Sequence, residues 1–230
     1  MRPFFSFYGG KWRDTPKHFP SPEFETIVEP FAGSAGYSVR YPDHDVVLCD
    51  IDPIIASVWQ YLIEVKPDEI LSLPGLQPGQ TVDDLAVPQE ARWLIGFWLN
   101  KGAERPRKSP SQWMREDNQP ECYWGNRVRT TIASQVESIR HWRIYNCSYE
   151  DCPVTEVATW FVDPPYQHAG RHYRFGSKLI DYASLGRWCK ELPGQVVVCE
   201  QQGATWLPFR TLGDVKTSRT SRSVEMLCLL

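Results

Sequence analysis

Four short, almost wholly apolar runs punctuate the chain: Thr26–Glu29, Val46–Asp50, Thr159–Asp163 and Gln195–Cys199. Unbroken hydrophobicity over so few residues predicts strands buried on both faces, as in a parallel sheet. Arg143–Cys147 and Val224–Leu229 read as further strands. Ala35–Tyr41 and Pro53–Val65 read as crossover helices, with Pro53 suited to a first helical turn. Tyr182–Leu192 reads as another helix, stopped by Pro193-Gly194. Strand and helix alternate, which predicts an α/β fold with helices on both faces of the sheet.

The rhythm breaks between Lys66 and Trp142. Residues 67–88, with Pro67, Pro74, Pro78 and Pro88, read as a loop-rich stretch without a clear period, and Lys101–Ser111 is a basic, proline-broken loop. Two helical stretches flank that loop. One is the Trp-rich Glu90–Asn100; the other is Asn126–Trp142, with Val128, Ile132, Val136, Ile139 and Trp142 at helical spacing. Residues 66–142 therefore read as an insertion in a unit formed by residues 1–65 and 143–230.

Composition narrows the class. Among 230 residues, ten each of Trp, Tyr and Phe supply ample surface to bury, which excludes a disordered chain. No apolar run approaches the roughly 18 residues of a membrane span. The start, Met1-Arg-Pro-Phe-Phe-Ser6, has no secretory h-region, so a cytoplasmic protein without a membrane partner is expected. Seven cysteines form an odd set with no Cys-x-x-Cys pair, which argues for reduced thiols and against a structural metal. The net charge of −3 conceals an asymmetry. Residues 20–91 hold two basic residues against thirteen acids, whereas residues 92–143 hold ten against five, which suggests a polyanionic partner for the middle segment.

Three of the apolar runs end in a carboxylate, Glu29, Asp50 and Asp163. Ligands of open α/β sheets bind beyond the carboxyl ends of the strands, so these acids are expected to share one crevice. Glu29-Pro-Phe-Ala-Gly-Ser-Ala-Gly36 closes the first strand with Gly33 and Gly36, which let backbone approach a ligand closely. Asp50, at the end of the next strand, is placed to grip ribose hydroxyls. In Asp163-Pro-Pro-Tyr166 the prolines stiffen the backbone and remove donors. What remains is the Asp163 carboxylate and the Pro164 carbonyl as acceptors beside an aromatic plane. That set suits a flat ring bearing an exocyclic NH2.

Phe7-Tyr-Gly-Gly-Lys11, Glu29–Gly36, Asp50 and Asp163–Tyr166, in that order, resemble the Dam-type D12 class (alpha group) of N6-adenine-specific DNA methyltransferases. The resemblance implies a Rossmann-like class I S-adenosylmethionine-dependent methyltransferase sheet with an inserted, mainly helical target-recognition region at 66–142. It implies methyl transfer from S-adenosylmethionine to adenine N6 in DNA, by base flipping and without a metal. Phe7, Lys11, Glu29, Gly33, Gly36, Asp50, Tyr149 and Asp163 would then surround the donor, with Asp151 a further acceptor. Asp163, Pro164, Pro165 and Tyr166 would hold the base. Lys101, Arg105, Arg107, Lys108, Arg127, Arg129, Arg171 and Arg174 become candidates for contacting DNA. Lys216, Arg219 and Arg222 are weaker candidates. Glu200 is open between a satisfied structural acid and a contact with the base. Rival readings are an N4-cytosine methyltransferase, since the same acceptors suit any exocyclic amine, and a non-catalytic DNA-binding relative.

Overall fold

The computed structural model describes residues 1–13, 15–100, 102–112, 123–216 and 222–230. Its strands are β1 (Thr26–Glu29), β2 (Asp45–Cys49), β3 (Arg143–Tyr145), β4 (Ala158–Val162), β5 (Gly194–Gln201), β6 (Arg210–Lys216) and β7 (Arg222–Leu229). They form one sheet in the order β3-β2-β1-β4-β5-β7-β6. The strands β3, β2, β1, β4 and β5 run parallel; β7 lies antiparallel between β5 and β6. This is a Rossmann-like sheet, parallel except for one inserted antiparallel strand. The central strands are the unbroken apolar runs. Every residue of β4 is buried, because the sheet carries an apolar layer on each face.

The order of β2, β1 and β4 places the acids. β1 sits between β2 and β4, and the crossover direction changes there, so the carboxyl ends of three neighbouring strands open on one crevice. Glu29 closes β1, Asp50 follows β2 and Asp163 follows β4. Helix α2 (Pro53–Glu64) begins directly after the β2 acids, where Asp52 caps it by accepting from Ile54 N at 3.0 Å. Helix α6 (Tyr182–Glu191) is capped in the same way by Asp181, on Ala183 N and Ser184 N.

Three expectations about local structure are corrected. Ala35–Tyr41 is not a helix but a short 3₁₀ turn, Ser38–Arg40. Long-range contacts pin it there: Glu29 Oε1 accepts from Ser38 N at 2.7 Å, and Arg40 donates to Trp12 O while lying 3.8 Å from the Trp12 ring centre. The proline-rich 67–88 stretch contains helix α3 (Pro67–Ser72) and a 3₁₀ turn at Val82–Asp84. Asn126–Trp142 is split into helix α5 (Asn126–Ala133) and a 3₁₀ turn, Val136–Ile139. Between the two, the Gln135 side chain bonds both Arg2 N and Arg2 O. Helix α1 (Thr15–His18) and helix α4 (Gln89–Phe97) complete the set named here. The apolar residues of α4 and α5 join Phe4, Phe5 and Trp59 in one core on a single face of the sheet.

Candidate active site

A cavity of about 1450 Å³ opens at the carboxyl ends of β1, β2 and β4. Of the residues expected to surround a donor or a base, Phe7, Lys11, Glu29, Gly33, Gly36, Asp50, Tyr149, Asp163, Pro164, Pro165 and Tyr166 line it, whereas Asp151 does not.

At its deep end lies a charged cluster. Lys11, 6% exposed, donates from Nζ to Asp163 Oδ2 and to Gly9 O, each at 3.0 Å. The other Asp163 oxygen, Oδ1, is buried and has no hydrogen-bond partner among the described residues. Burial pushes the Asp163 carboxyl up, while Lys11 and, less strongly, the Tyr166 hydroxyl oppose the shift. For Lys11, burial works against the ammonium, but Asp163 and Glu225 outweigh it and hold the group above its ordinary range. Lys11 Nζ also lies 4.8 Å from the Tyr166 ring centre. The Tyr166 hydroxyl donates to Glu225 Oε2 at 2.5 Å, and burial, with both carboxylates nearby, keeps the phenol protonated. The Pro165 carbonyl accepts from the Tyr182 hydroxyl, which ties the tetrapeptide to α6.

Toward the β2 side the cavity is built from a turn and its acid. Gly33 adopts φ +45°, and its N–H donates to Asp50 Oδ2 at 2.9 Å. Asp50 Oδ1 accepts from Asp52 N at 2.9 Å. Burial raises the Asp50 carboxyl to about 6, against the pull of these two N–H groups. A Cβ on Gly33 would stand 3.1 Å from the Phe7 ring, so Phe7 roofs this turn. Burial lifts Glu29 further, to about 8, so it is largely a neutral acid at pH 7. Tyr149 stacks on Phe31 with ring centres 5.4 Å apart, while Asp151 is exposed in the same 3₁₀ turn.

Two buried carboxylates have partners that the sequence did not resolve. Glu200 is fully buried and accepts from Gln167 N, Gln201 N and Trp206 Nε1. It is a satisfied acid that anchors the residue following Tyr166. Glu225 was not singled out at all: an isolated acid near the chain end carries no motif, and only the pairing of β7 with β5 brings it to Tyr166.

The basic candidates divide. Arg105, Arg107, Arg127 and Arg171 are exposed, and Arg127 lines the cavity. Lys108 is exposed but pairs with Asp83 at 2.6 Å, and Arg174 pairs with Asp52 at 3.2 Å. Arg129 is half-buried and donates to the Leu73 carbonyl, joining α5 to the end of α3, which takes it off the exposed basic face. Lys101 and Arg219 lie outside the described residues, as do the side chains of Lys216 and Arg222. Among the described residues, no helix is long and apolar enough to cross a membrane.

Residues 7–83 match the family of D12 class N6 adenine-specific DNA methyltransferases. That span takes in Phe7, Lys11, Glu29, Gly33, Gly36 and Asp50 and ends before Asp163. Among solved structures, a conserved hypothetical protein of Streptococcus pyogenes is similar at 12% identity and TM-score 0.37, over 88% of this chain and 84% of that one. The rRNA methyltransferase AviRa from Streptomyces viridochromogenes is similar at 14% identity and TM-score 0.43, over 99% and 87%. No curated protein matches the chain in sequence.

Proposed function

We propose that this chain transfers a methyl group from S-adenosylmethionine to the exocyclic N6 of adenine in DNA. The observation that carries the reading is Asp163, which lines the cavity: Lys11 holds one carboxylate oxygen, and the other is buried without a hydrogen-bond partner among the described residues. A buried acceptor without a donor costs free energy unless a ligand satisfies it, and an amine hydrogen does so. The donor fits the other end. Asp50 is the acceptor for ribose hydroxyls, the Gly33 turn and the Phe7 ring make the close cradle, and Tyr149 offers an aromatic face. When bound, S-adenosylmethionine supplies a methyl group already activated by a positively charged sulfur.

The chain's own residues then do the rest. An adenine amine lends its lone pair to the ring and is a poor nucleophile. Asp163 Oδ1 and the Pro164 carbonyl accept its hydrogens and return density to nitrogen, an effect strongest as the new bond forms. As the new bond forms the amine releases one proton, and the Asp163 carboxylate, whose affinity for a proton burial raises, takes it up. A base within a duplex cannot reach this cavity, so the nucleotide leaves the stack, and Tyr166 supplies the surface against which it rests. The test is to incubate DNA with tritiated S-adenosylmethionine, digest it and identify the labelled nucleoside by mass spectrometry. N6-methyldeoxyadenosine is the expected product; N4-methylcytosine, or no label, overturns the reading.

Two further results are expected. Arg105, Arg107, Arg127 and Arg171 engage phosphates, so DNA affinity falls steeply with salt, each neutralised phosphate adding about 0.9 to the log–log slope. Replacing Arg105 and Arg107 together with alanine lowers that slope by about 2; a slope unchanged by the pair removes both from the interface.

Donor affinity also depends on pH. Asp50 titrates at about 6, so lowering the pH through that value neutralises it and weakens its grip on hydroxyl donors. Calorimetric binding of sinefungin, an unreactive donor analogue, is expected to weaken between pH 7 and pH 5. Asp50→Asn flattens that step and leaves any change near pH 8 to Glu29, which titrates there. An Asp50→Asn protein that retains the acid step assigns it elsewhere.

A further inference from the structure

We propose that Glu225 is a positioning residue that fixes the plane of Tyr166 for the acceptor base. The inference rests on the methyl-transfer reading above and adds a component to the same site. Glu225 comes from β7, pairs with Gln201 across the antiparallel ladder, is 6% exposed and lines the cavity.

Stacking on an incoming ring is most effective when the aromatic plane is already fixed, since a mobile side chain must be ordered at the moment of binding. The backbone of Tyr166 is fixed on both sides. Its carbonyl accepts from Gly170 N at 2.6 Å, and Gln167 N donates to Glu200. Those contacts leave the side-chain torsions free. The ring packs against the apolar core, and two polar contacts fix it further: Lys11 Nζ at 4.8 Å from its centre and the hydroxyl held by Glu225 at 2.5 Å. Lys11 is in turn held by Asp163. The carboxylate that receives the amine and the ring that stacks against the base are thereby parts of one framework, anchored at its far end by Glu225.

Glu225 has two separable properties, a hydrogen-bond acceptor and a negative charge. Glu225→Gln keeps an acceptor oxygen and removes the charge; Glu225→Ala removes both; Tyr166→Phe keeps the ring and removes the donor. For each variant, and for Glu225→Ala with Tyr166→Phe, kcat and KM for DNA and the affinity for sinefungin are to be measured. Glu225→Ala and Tyr166→Phe are each expected to raise KM for DNA about tenfold, in line with the ordering of one side chain, with sinefungin affinity changed less than about twofold. The double variant is expected to be no worse than either single one, and Glu225→Gln to recover most of the loss.

Additive effects overturn the proposal. So does a Glu225→Gln protein as impaired as Glu225→Ala, which would assign the effect to charge, or a parallel loss of sinefungin binding, which would mean general collapse of the cavity. Tyr166→Phe leaves Glu225 in place and keeps the question answerable where Glu225→Ala fails to fold. If the unsubstituted protein transfers no methyl group to DNA, the reaction itself is wrong and this role falls with it. If it is active and the variants are additive, only the role of Glu225 is lost.

Discussion

Asp163→Ala is expected to reduce methyl transfer by at least about a hundredfold, the usual cost of deleting a group that acts mainly in the transition state. Sinefungin affinity should fall much less. The substitution removes the acceptor for the amine and also strips Lys11 of a partner at 3.0 Å inside the protein. Deleting one member of a buried ion pair destabilises a fold by roughly 3–5 kcal/mol, and the Glu225 carboxylate, which also acts on Lys11, reduces that here. Loss of turnover and loss of stability must therefore be separated. Combining Asp163→Ala with Lys11→Met removes both charges and is expected to raise the melting temperature above that of Asp163→Ala alone, while turnover stays lost. Transfer at the native rate by a folded Asp163→Ala protein would sink the assigned chemistry.

What could be read in the sequence, and what could not, follows from the range of the forces involved. The central strands were legible because a strand covered on both faces must be apolar throughout. The acids Glu29, Asp50 and Asp163 stood out because each follows such a run directly. Segments whose shape depends on distant contacts were not legible. Ala35–Tyr41 has no local reason to stop being helical; Glu29 and Trp12 stop it. The break after Ala133 is stitched by Gln135 to Arg2, 133 residues away in sequence. Strand β6 mixes charged, polar and apolar residues at the sheet edge and lacks the unbroken run that marked the others. Arg129 sits in a basic stretch, yet its direction is set by the Leu73 carbonyl. In the site, the residue types announced themselves, but not their partners. Glu225 reaches Tyr166 only because β7 inserts between β5 and β6.

Gly36→Ala tests whether the glycine-rich turn and the charged cluster are mechanically one object. The requirement at Gly36 is one of space. A Cβ there would lie 2.7 Å from Lys11 N, 2.8 Å from Trp12 N and 3.2 Å from Lys11 Cα. These are backbone atoms, so no side chain can rotate away; the 9–12 segment itself must move. That segment also carries the Lys11 side chain to Asp163, and its Trp12 carbonyl accepts two bonds from Arg40. Overpacking of this kind costs about 1–3 kcal/mol of stability. A displacement near 1 Å at a catalytic group costs on the order of a hundredfold in rate. Gly36→Ala is therefore expected to lower both melting temperature and turnover, whereas Gly75→Ala, where an added Cβ meets nothing within 4 Å, should alter neither. A Gly36→Ala protein with lowered stability but native turnover would mean that Lys11 and Asp163 keep their register when the segment shifts. The cluster would then be anchored from the β4 side alone.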